Sequence, residues 1–143
     1  MRKVARDRQN SKRSGVINMK EFSKTWKSSK KPRKQRKYRA SAPLHVKQKF
    51  VHSHLSKDLM KKYGKRSIGL RKGDKVKIMR GQFKKLEGKI EDIDLKRTRI
   101  FVSGVETTKK EGTKKLIALH PSNLMITELN LDDKFRQKSL ESK

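Results

Sequence analysis

Positive charge constrains this sequence more than any other feature. Its 143 residues include 42 Lys and Arg against 14 Asp and Glu, and only 31% of the residues are hydrophobic. So little apolar surface cannot offset the entropy of ordering the whole chain in one globule. We therefore expect a small core and segments that become ordered on a partner. Because the excess charge is self-repulsive, that partner has to be a dense polyanion. RNA, DNA and an anionic membrane surface are the candidates.

Membrane insertion and secretion are not indicated by the pattern of apolar residues. No apolar run approaches the roughly 18–20 residues of a spanning helix. The N-terminal residues have no apolar stretch of the kind found in a secretory signal. The sequence has no cysteine, which excludes disulfides and cysteine-bound zinc and is typical of a reducing compartment. We therefore expect a cytoplasmic protein without a membrane partner.

The charge is distributed unevenly along the chain. Residues 1–43 hold 16 Lys and Arg against two acidic residues, whereas residues 71–143 hold 19 against 11. This asymmetry predicts a basic N-terminal extension over 1–42, a short helical linker region over 43–66, and a globular domain over 67–129. The remaining residues, 130–143, form a C-terminal tail for which we predict one helix with Asp132 as its cap.

The basic extension has no sustained helical or strand periodicity over residues 24–39. Two aromatic residues, Trp26 and Tyr38, are interleaved with its cations. RNA bases can stack on such rings while the neighbouring cations neutralise phosphates. The alternative is a solvated tail whose Trp26 packs on the domain, but the charge asymmetry favours RNA binding.

Local signals predict two helices and then a series of strands. Pro43 can open a helix towards Phe50. The segment that follows has Ser56 as a candidate N-cap, Asp58 in the first turn and Gly64 as a C-terminal stop. From residue 67 onward, apolar residues alternate in short runs over 75–78, 88–93, 98–102, 115–119 and 124–128, separated by turn residues.

Five strands at this spacing predict a mainly-β protein, a small antiparallel barrel with short flanking helices. Its core is predicted to contain the aliphatic residues of those runs: Val76, Ile78, Ile90, Ile93, Ile100, Val102, Leu116, Ala118 and Ile126.

A loop in the first half of this domain carries the most informative motif. Gly81 and Gly88 bracket six residues that include Phe83, Lys84 and Lys85. Glycines at both ends permit a tight loop and allow a nucleic-acid backbone to come close. The lysines can then contact phosphates, and Phe83 can either stack on a base or close the end of the barrel.

This stretch resembles the KOW motif of SH3-like barrels. Members of that group commonly read Gly-x-x-Lys-Gly-x-x-Gly, and here the motif runs Gly81-x-x-Lys84-Lys85-x-x-Gly88. The middle glycine is replaced by Lys85, which adds one charge to the loop.

The flanking segments make the resemblance more specific. In order they read PRKQRKYR at 32–39, APLH at 42–45, LSKDL at 55–59, KYGKRS at 62–67, HPSNL at 120–124 and LNLDD at 129–133. Together they resemble the universal large-subunit ribosomal protein family numbered twenty-four in archaea and twenty-six in eukaryotes. The resemblance covers residues 30–135 and has an archaeal character, while residues 1–29 match nothing in the family.

The resemblance implies a function and a set of partners. Members bind the 5′ domain of large-subunit ribosomal RNA, act early in assembly and lie near the peptide exit tunnel, beside neighbouring ribosomal proteins and exit-tunnel factors. It implies no enzyme activity, no cofactor, no metal and no small-molecule substrate. The RNA-binding residues carried over from it are Lys31, Arg33, Lys34, Arg36, Lys37, Tyr38, Arg39, Arg80, Gly81, Phe83, Lys84, Lys85, Gly88, Lys89, His120 and Ser122.

Other groups of polar residues do not support catalysis or metal binding. His52 and His54 would share one face of an extended segment, but no third histidine or cysteine ligand is near. Glu91, Asp92 and Asp94 lie among Lys and Arg, so charge balance across a hairpin explains them better than acid–base chemistry. Ser41 and His45 have neither an orienting acid nor an oxyanion loop.

Two other functional classes are compatible with the motif and the charge. A transcription elongation factor with a KOW module would usually place an α/β domain before the motif, where this chain has a basic tail. A DNA-compacting chromatin protein would prefer double-stranded DNA to large-subunit RNA at equal salt.

Overall fold

The computed structural model describes residues 22, 23, 25 and 28–142. Trp26, for which we predicted stacking, lies outside the described residues. The chain divides into two compact units at the boundary between Ala42 and Pro43.

Four helices and eight strands make up the regular structure of the described residues. The helices are α1 (Pro32–Ser41), α2 (Leu44–Gln48), α3 (Lys57–Tyr63) and α4 (Lys134–Glu141), with a short 3-10 turn at Pro121–Asn123. The strands are β1 (His52–Leu55), β2 (Ser67–Gly69), β3 (Lys75–Ile78), β4 (Glu87–Asp94), β5 (Arg99–Val102), β6 (Glu106–Thr108), β7 (Lys114–Leu116) and β8 (Leu124–Glu128). Among these described helices, none combines the length and apolar character that a membrane crossing requires.

The first unit contains α1, which the periodicity of the sequence did not predict. Pro32 occupies its first turn, and Lys, Arg, Gln and Ala, all good helix formers, supply most of its length. None of its residues is buried. The helix therefore lacks the apolar stripe by which a helix is recognised in a sequence. The expectation of no regular element over 24–39 was therefore wrong for its second half.

The second unit is a small mainly-β, barrel-like fold, as predicted. Six strands are hydrogen-bonded in the order β2-β1-β8-β3-β4-β5, and β6 and β7 form a separate two-stranded ribbon. Most neighbouring strands are antiparallel, but β1 runs parallel to β8. The backbones of Ile100 and Leu119 form an additional bridge that brings the end of the ribbon back to β5.

The core contains most of the aliphatic residues that we predicted. Val76, Ile78, Ile90, Ile100, Val102 and Ile126 are buried in one cluster, and Ile93 packs against it. The prediction for Ala118 was wrong, because its side chain is exposed. Strand β7 ends at Leu116, so the alternation of buried and exposed side chains does not continue in register beyond it. Ile117 and Leu119, and not Ala118, pack against the core.

Helix α2 forms directly after Pro43, which is its N-cap and not its first residue, and α3 confirms both predicted caps. The Ser56 hydroxyl accepts a hydrogen bond from the Leu59 amide, and Gly64 adopts φ +64° while its amide donates to the Met60 carbonyl. Between these helices lies β1, a strand in a segment for which we predicted helices only. The sequence here lacks the alternation of apolar and polar residues that predicts a strand, because the buried position is occupied by a polar residue, Ser53. Its hydroxyl donates a hydrogen bond to the Pro121 carbonyl at 2.6 Å.

The C-terminal tail forms α4 as predicted, but its cap is one residue later than expected. The Asp133 carboxylate, not that of Asp132, accepts a hydrogen bond from the Phe135 amide. The helix packs on the barrel through two buried residues, Leu140 and Arg136.

Arg136 makes a bidentate ion pair with Asp74 in the turn before β3. Both N–O distances are 2.7 Å, and the exposed fractions of the two side chains are 4% and 0%. The Asp74 carboxylate also accepts hydrogen bonds from the amides of Arg71 and Asn130. Arg136 donates its other terminal N–H groups to the carbonyls of Asn130 and Gly69. One guanidinium therefore connects α4 to the turn before β3, to β2 and to the end of β8.

Replacement of Arg136 by leucine should lower the free energy of unfolding by about 3–5 kcal/mol, because Asp74 would stay buried without its counter-charge. The exposed pair of Lys77 and Glu87 is a control, and Lys77→Ala should cost only about 0–1 kcal/mol. Urea denaturation followed by circular dichroism measures both. Equal losses of unfolding free energy in the two variants would mean that the buried pair contributes no more to stability than the exposed pair.

Lys85 adopts the left-handed backbone conformation, with φ +77°. The KOW pattern has glycine here, so the turn geometry is retained although the residue has changed. A left-handed conformation costs a non-glycine residue about 1–2 kcal/mol.

Lys85→Gly should therefore stabilise the barrel by about 0.5–1 kcal/mol, since relief of strain exceeds the added flexibility of the unfolded chain. Lys84→Gly is the matched control, because the backbone of Lys84 is not left-handed, and it should destabilise. Thermal unfolding of the two variants compares them directly, and stabilisation by both would contradict the argument.

Candidate nucleic-acid interface

The loop between β3 and β4 is closed by backbone hydrogen bonds. The Lys85 amide donates to the Ile78 carbonyl and the Ile78 amide donates to the Leu86 carbonyl, each at 2.9 Å. Within the loop, the Lys84 amide donates to the Gly81 carbonyl at 3.1 Å, and Gly81 has φ +97°. This loop therefore presents its side chains from a fixed backbone.

Three cations of this loop are exposed and have no ion-pair partner among the described residues: Arg80, Lys84 and Lys85. The neighbouring strand lysines differ, because Lys75 pairs with Glu128 at 2.9 Å and Lys77 pairs with Glu87 at 3.1 Å. The hydrogen bond and charge of Glu128 raise the pKa of Lys75. Charge on β3 is thus balanced internally, whereas charge on the loop is available to an external anion.

Two other predicted residues of the motif have roles inside the protein. Phe83 is half-buried and packs against the hydrophobic core, which supports barrel closure among its two proposed roles. Gly88 lies in β4, where an added Cβ would come within 2.5 Å of the Ser103 carbonyl oxygen. Close strand packing therefore explains this glycine, and Lys89 beside it is exposed on the same strand.

The 3-10 turn lies next to this loop. The Met79 amide donates to the Asn123 carbonyl at 2.8 Å, and Ile78 is paired with Leu124 at the adjoining ends of β3 and β8. The His120 ring nitrogen Nδ1 lies 2.8 Å from the Ser122 hydroxyl, which fixes both exposed side chains. The structure therefore brings His120 and Ser122 to the same end of the sheet as Arg80, Lys84 and Lys85.

In the first unit, α1 carries five Lys or Arg and no acidic residue in ten positions. Arg33, Lys34, Arg36, Lys37 and Arg39 are all exposed, as is Lys31 just before the helix. Like charges three and four positions apart repel each other along a helix, so a bound polyanion would relieve this repulsion. Tyr38 is half-buried and packs against Phe22, with ring centroids 4.8 Å apart.

Further exposed cations that we did not predict lie on the ribbon of β6 and β7. Lys109, Lys110 and Lys115 have no ion-pair partner in the described part of the chain, whereas Lys114 pairs with Glu106. The repeated Thr and Lys residues over 107–115 were the signal in the sequence, but in this region we interpreted only a turn and the strand that follows it from residue 115.

The groups that we set aside have structural explanations. Asp92 pairs with Lys72 at 2.6 Å, and hydrogen bonds from Lys72 and from the Ile93 backbone lower the pKa of its carboxyl group. Asp94 pairs with Arg97, and the Ser41 hydroxyl donates to the Lys37 carbonyl. Across residues 22, 23, 25 and 28–142, no three metal-ligating side chains form a group that could hold an ion.

Comparison with known sequences identifies the family. A sequence model that describes the ribosomal proteins L26 of eukaryotes and L24 of archaea matches residues 29–143. The match extends beyond the range of our predicted resemblance and includes α4 and its Arg136.

Similar proteins from three archaea are each named large ribosomal subunit protein uL24. The protein of Methanothrix thermoacetophila is 52% identical over 110 residues, which cover 77% of this chain and 95% of the relative. That of Methanosphaera stadtmanae is 47% identical over 115 residues, covering 80% and 98%. That of Methanocorpusculum labreanum is 47% identical over 116 residues, covering 81% and 96%.

These relatives are ribosomal proteins, in agreement with our interpretation that the chain is not an enzyme. They also favour the ribosomal interpretation over an elongation factor or a chromatin protein. On its matched residues, its barrel-like fold and its KOW loop, the chain belongs to the family of eukaryotic L26 and archaeal L24 ribosomal proteins.

Proposed function

We propose that this chain is a structural component of the large ribosomal subunit in the cytoplasm and that it binds large-subunit ribosomal RNA. The observation that carries the proposal is the rigid loop of residues 79–86, whose cations have no acidic partner among the described residues while the strand lysines beside it do. The names of the relatives supply the ribosomal context.

Binding is electrostatic and depends on the shape of the RNA. A-form helices hide their base edges in a deep, narrow major groove, so contacts to phosphates and 2′-hydroxyls dominate. In this proposal Arg80, Lys84, Lys85 and Lys89 neutralise phosphates at one end of the barrel, and His120 and Ser122 add hydrogen bonds. The cations of Lys31 and α1 neutralise a second stretch of RNA backbone.

The finer assignments extend the family resemblance to this chain. Binding to the 5′ domain of the RNA, an early role in assembly and a position near the peptide exit tunnel belong to the same proposal. Neighbouring ribosomal proteins are further partners, and exit-tunnel factors are candidates for the exposed barrel surface.

In a sucrose gradient of cell lysate, the tagged chain should migrate with large subunits and leave them at high salt. Changing Arg33, Lys34, Arg36 and Lys37 to Gln should shift most of the protein to the top of the gradient, because α1 would lose its phosphate contacts. The matched control removes the same charge from other exposed helical lysines: Lys57, Lys61, Lys134 and Lys138. Equal displacement of both variants would show that only net charge matters, and wild-type protein absent from large subunits would refute the proposal.

Changing Lys84 and Lys85 to Ala should flatten the dependence of RNA affinity on salt. Each lost phosphate contact reduces the slope of log K against log salt by about 0.7–0.9, so the double variant should lose about 1.4–1.8. Filter binding to purified large-subunit RNA at several salt concentrations measures the slope. The control variant, Lys75→Ala with Lys77→Ala, removes the same charge from lysines already paired with glutamates, and an unchanged slope in the loop variant would contradict its assigned role.

A further inference from the structure

A cavity of about 600 Å³ opens in the second unit, formed by residues from α2, β1, β2, the end of β4 and α4. This volume lies within the roughly 300–1,000 Å³ of clefts that bind small ligands. Its apolar lining includes Val51, Leu70 and Ile93. Neither the KOW loop nor the 3-10 turn contributes to it, so it is separate from the interface described above.

The charge of the cavity has one sign. Lys49, Arg71, Lys72 and Arg136 line it, and no acidic side chain does. Arg136 is occupied by Asp74, but the other three reach the surface. Arg71 and Lys72 are held by ion pairs with Asp133 and Asp92 while their side chains stay 54% and 65% exposed.

Lys49 is exposed and has no ion-pair partner within the described ranges. The cavity is therefore suited to an anionic ligand that also has an apolar part. A purely apolar segment would leave Lys49 without a counter-charge.

An exposed aromatic ring is also part of the lining. Phe135 is 86% exposed, although apolar residues are scarce in this chain. Its backbone is fixed, because the Asp133 carboxylate accepts a hydrogen bond from its amide and also pairs with Arg71 at 2.9 Å. An exposed aromatic side chain in a cavity that cations also line is an arrangement on which nucleic-acid bases stack.

His45 and His52 are among the polar residues that line the same cavity. Burial lowers the pKa of His52, which favours the neutral imidazole at physiological pH. A neutral imidazole has one hydrogen-bond donor and one acceptor, which suits the edge of a base better than a phosphate.

We propose that this cavity binds one unstacked nucleotide of RNA, with its base against Phe135 and the apolar lining and its phosphate among Lys49, Arg71 and Lys72. Duplex RNA cannot supply such a nucleotide, whereas loops and bulges present unpaired bases to aromatic side chains. The inference rests on the RNA-binding function proposed above and adds a site that reads single-stranded RNA. An acidic protein segment is the other occupant with matching charge, and the experiment separates the two.

The test uses the full-length protein and deproteinised large-subunit ribosomal RNA. Phe135→Ala should weaken binding about 5- to 160-fold, as expected for loss of one base stack, and should leave the salt slope unchanged. Leu44→Ala is the matched control, because Leu44 is 60% exposed but does not line the cavity, and it should not change affinity. Lys49→Gln should reduce the salt slope by about 0.7–0.9, the share of one phosphate.

A photo-crosslink identifies the occupant directly. With p-benzoylphenylalanine in place of Phe135, irradiation of assembled large subunits should produce a crosslink to one unpaired nucleotide, mapped by primer extension. A crosslink to a protein, or to duplex RNA, would overturn the proposal, as would wild-type affinity in Phe135→Ala. If the wild-type chain binds the RNA, each of these results refutes only the nucleotide site and leaves the general RNA-binding function intact. If the wild-type chain does not bind, the nucleotide site and the RNA-binding function are both refuted.

Discussion

The ion pair between Asp74 and Arg136 is the contact on which the second unit depends. Both groups are inside the protein, so each needs the other and also the backbone groups around them. Through this one pair the C-terminal helix, the turn before β3, the end of β8 and strand β2 hold fixed positions. The helix and β2 also contribute to the cavity beside Phe135, so the pair connects two of the five elements that form it.

The described cations fall into two groups with different physical roles. Those on β3 face acidic partners across the sheet, as Lys77 faces Glu87, and their charge is largely balanced within the fold. Those on the loop of residues 79–86, together with Arg33, Lys34, Arg36 and Lys37 of α1, have no such acidic partners in the part of the chain that the structure describes. A strongly basic chain can thus have a stable barrel, because the unpaired charge is concentrated in the loop and in α1, outside the buried core.

Local signals in the sequence predicted much of this structure, and long-range contacts explain what they missed. Ser56 and Gly64 predicted α3 because capping depends only on neighbouring backbone groups. Strand β1 was not predicted, since its buried Ser53 is polar and its acceptor is 68 positions away. No local pattern distinguishes Asp74 and Arg136 from the other charges in a chain where 39% of residues are charged. The loop cations were predicted from one contiguous motif, whereas the cavity draws on five separate elements and leaves no pattern in the sequence.

The parallel pairing of β1 with β8 has a consequence for synthesis. Strand β8 joins β1 to β3, and of the described strands it is the last to be made. Chains are produced from the N-terminus, and pairing between distant segments must wait until both exist. A nascent molecule therefore has its basic extension long before its sheet can close. Only when Arg136 has left the translating ribosome can the Asp74 carboxylate be buried with its counter-charge, so the second unit reaches its final packing after its sheet strands have all been made.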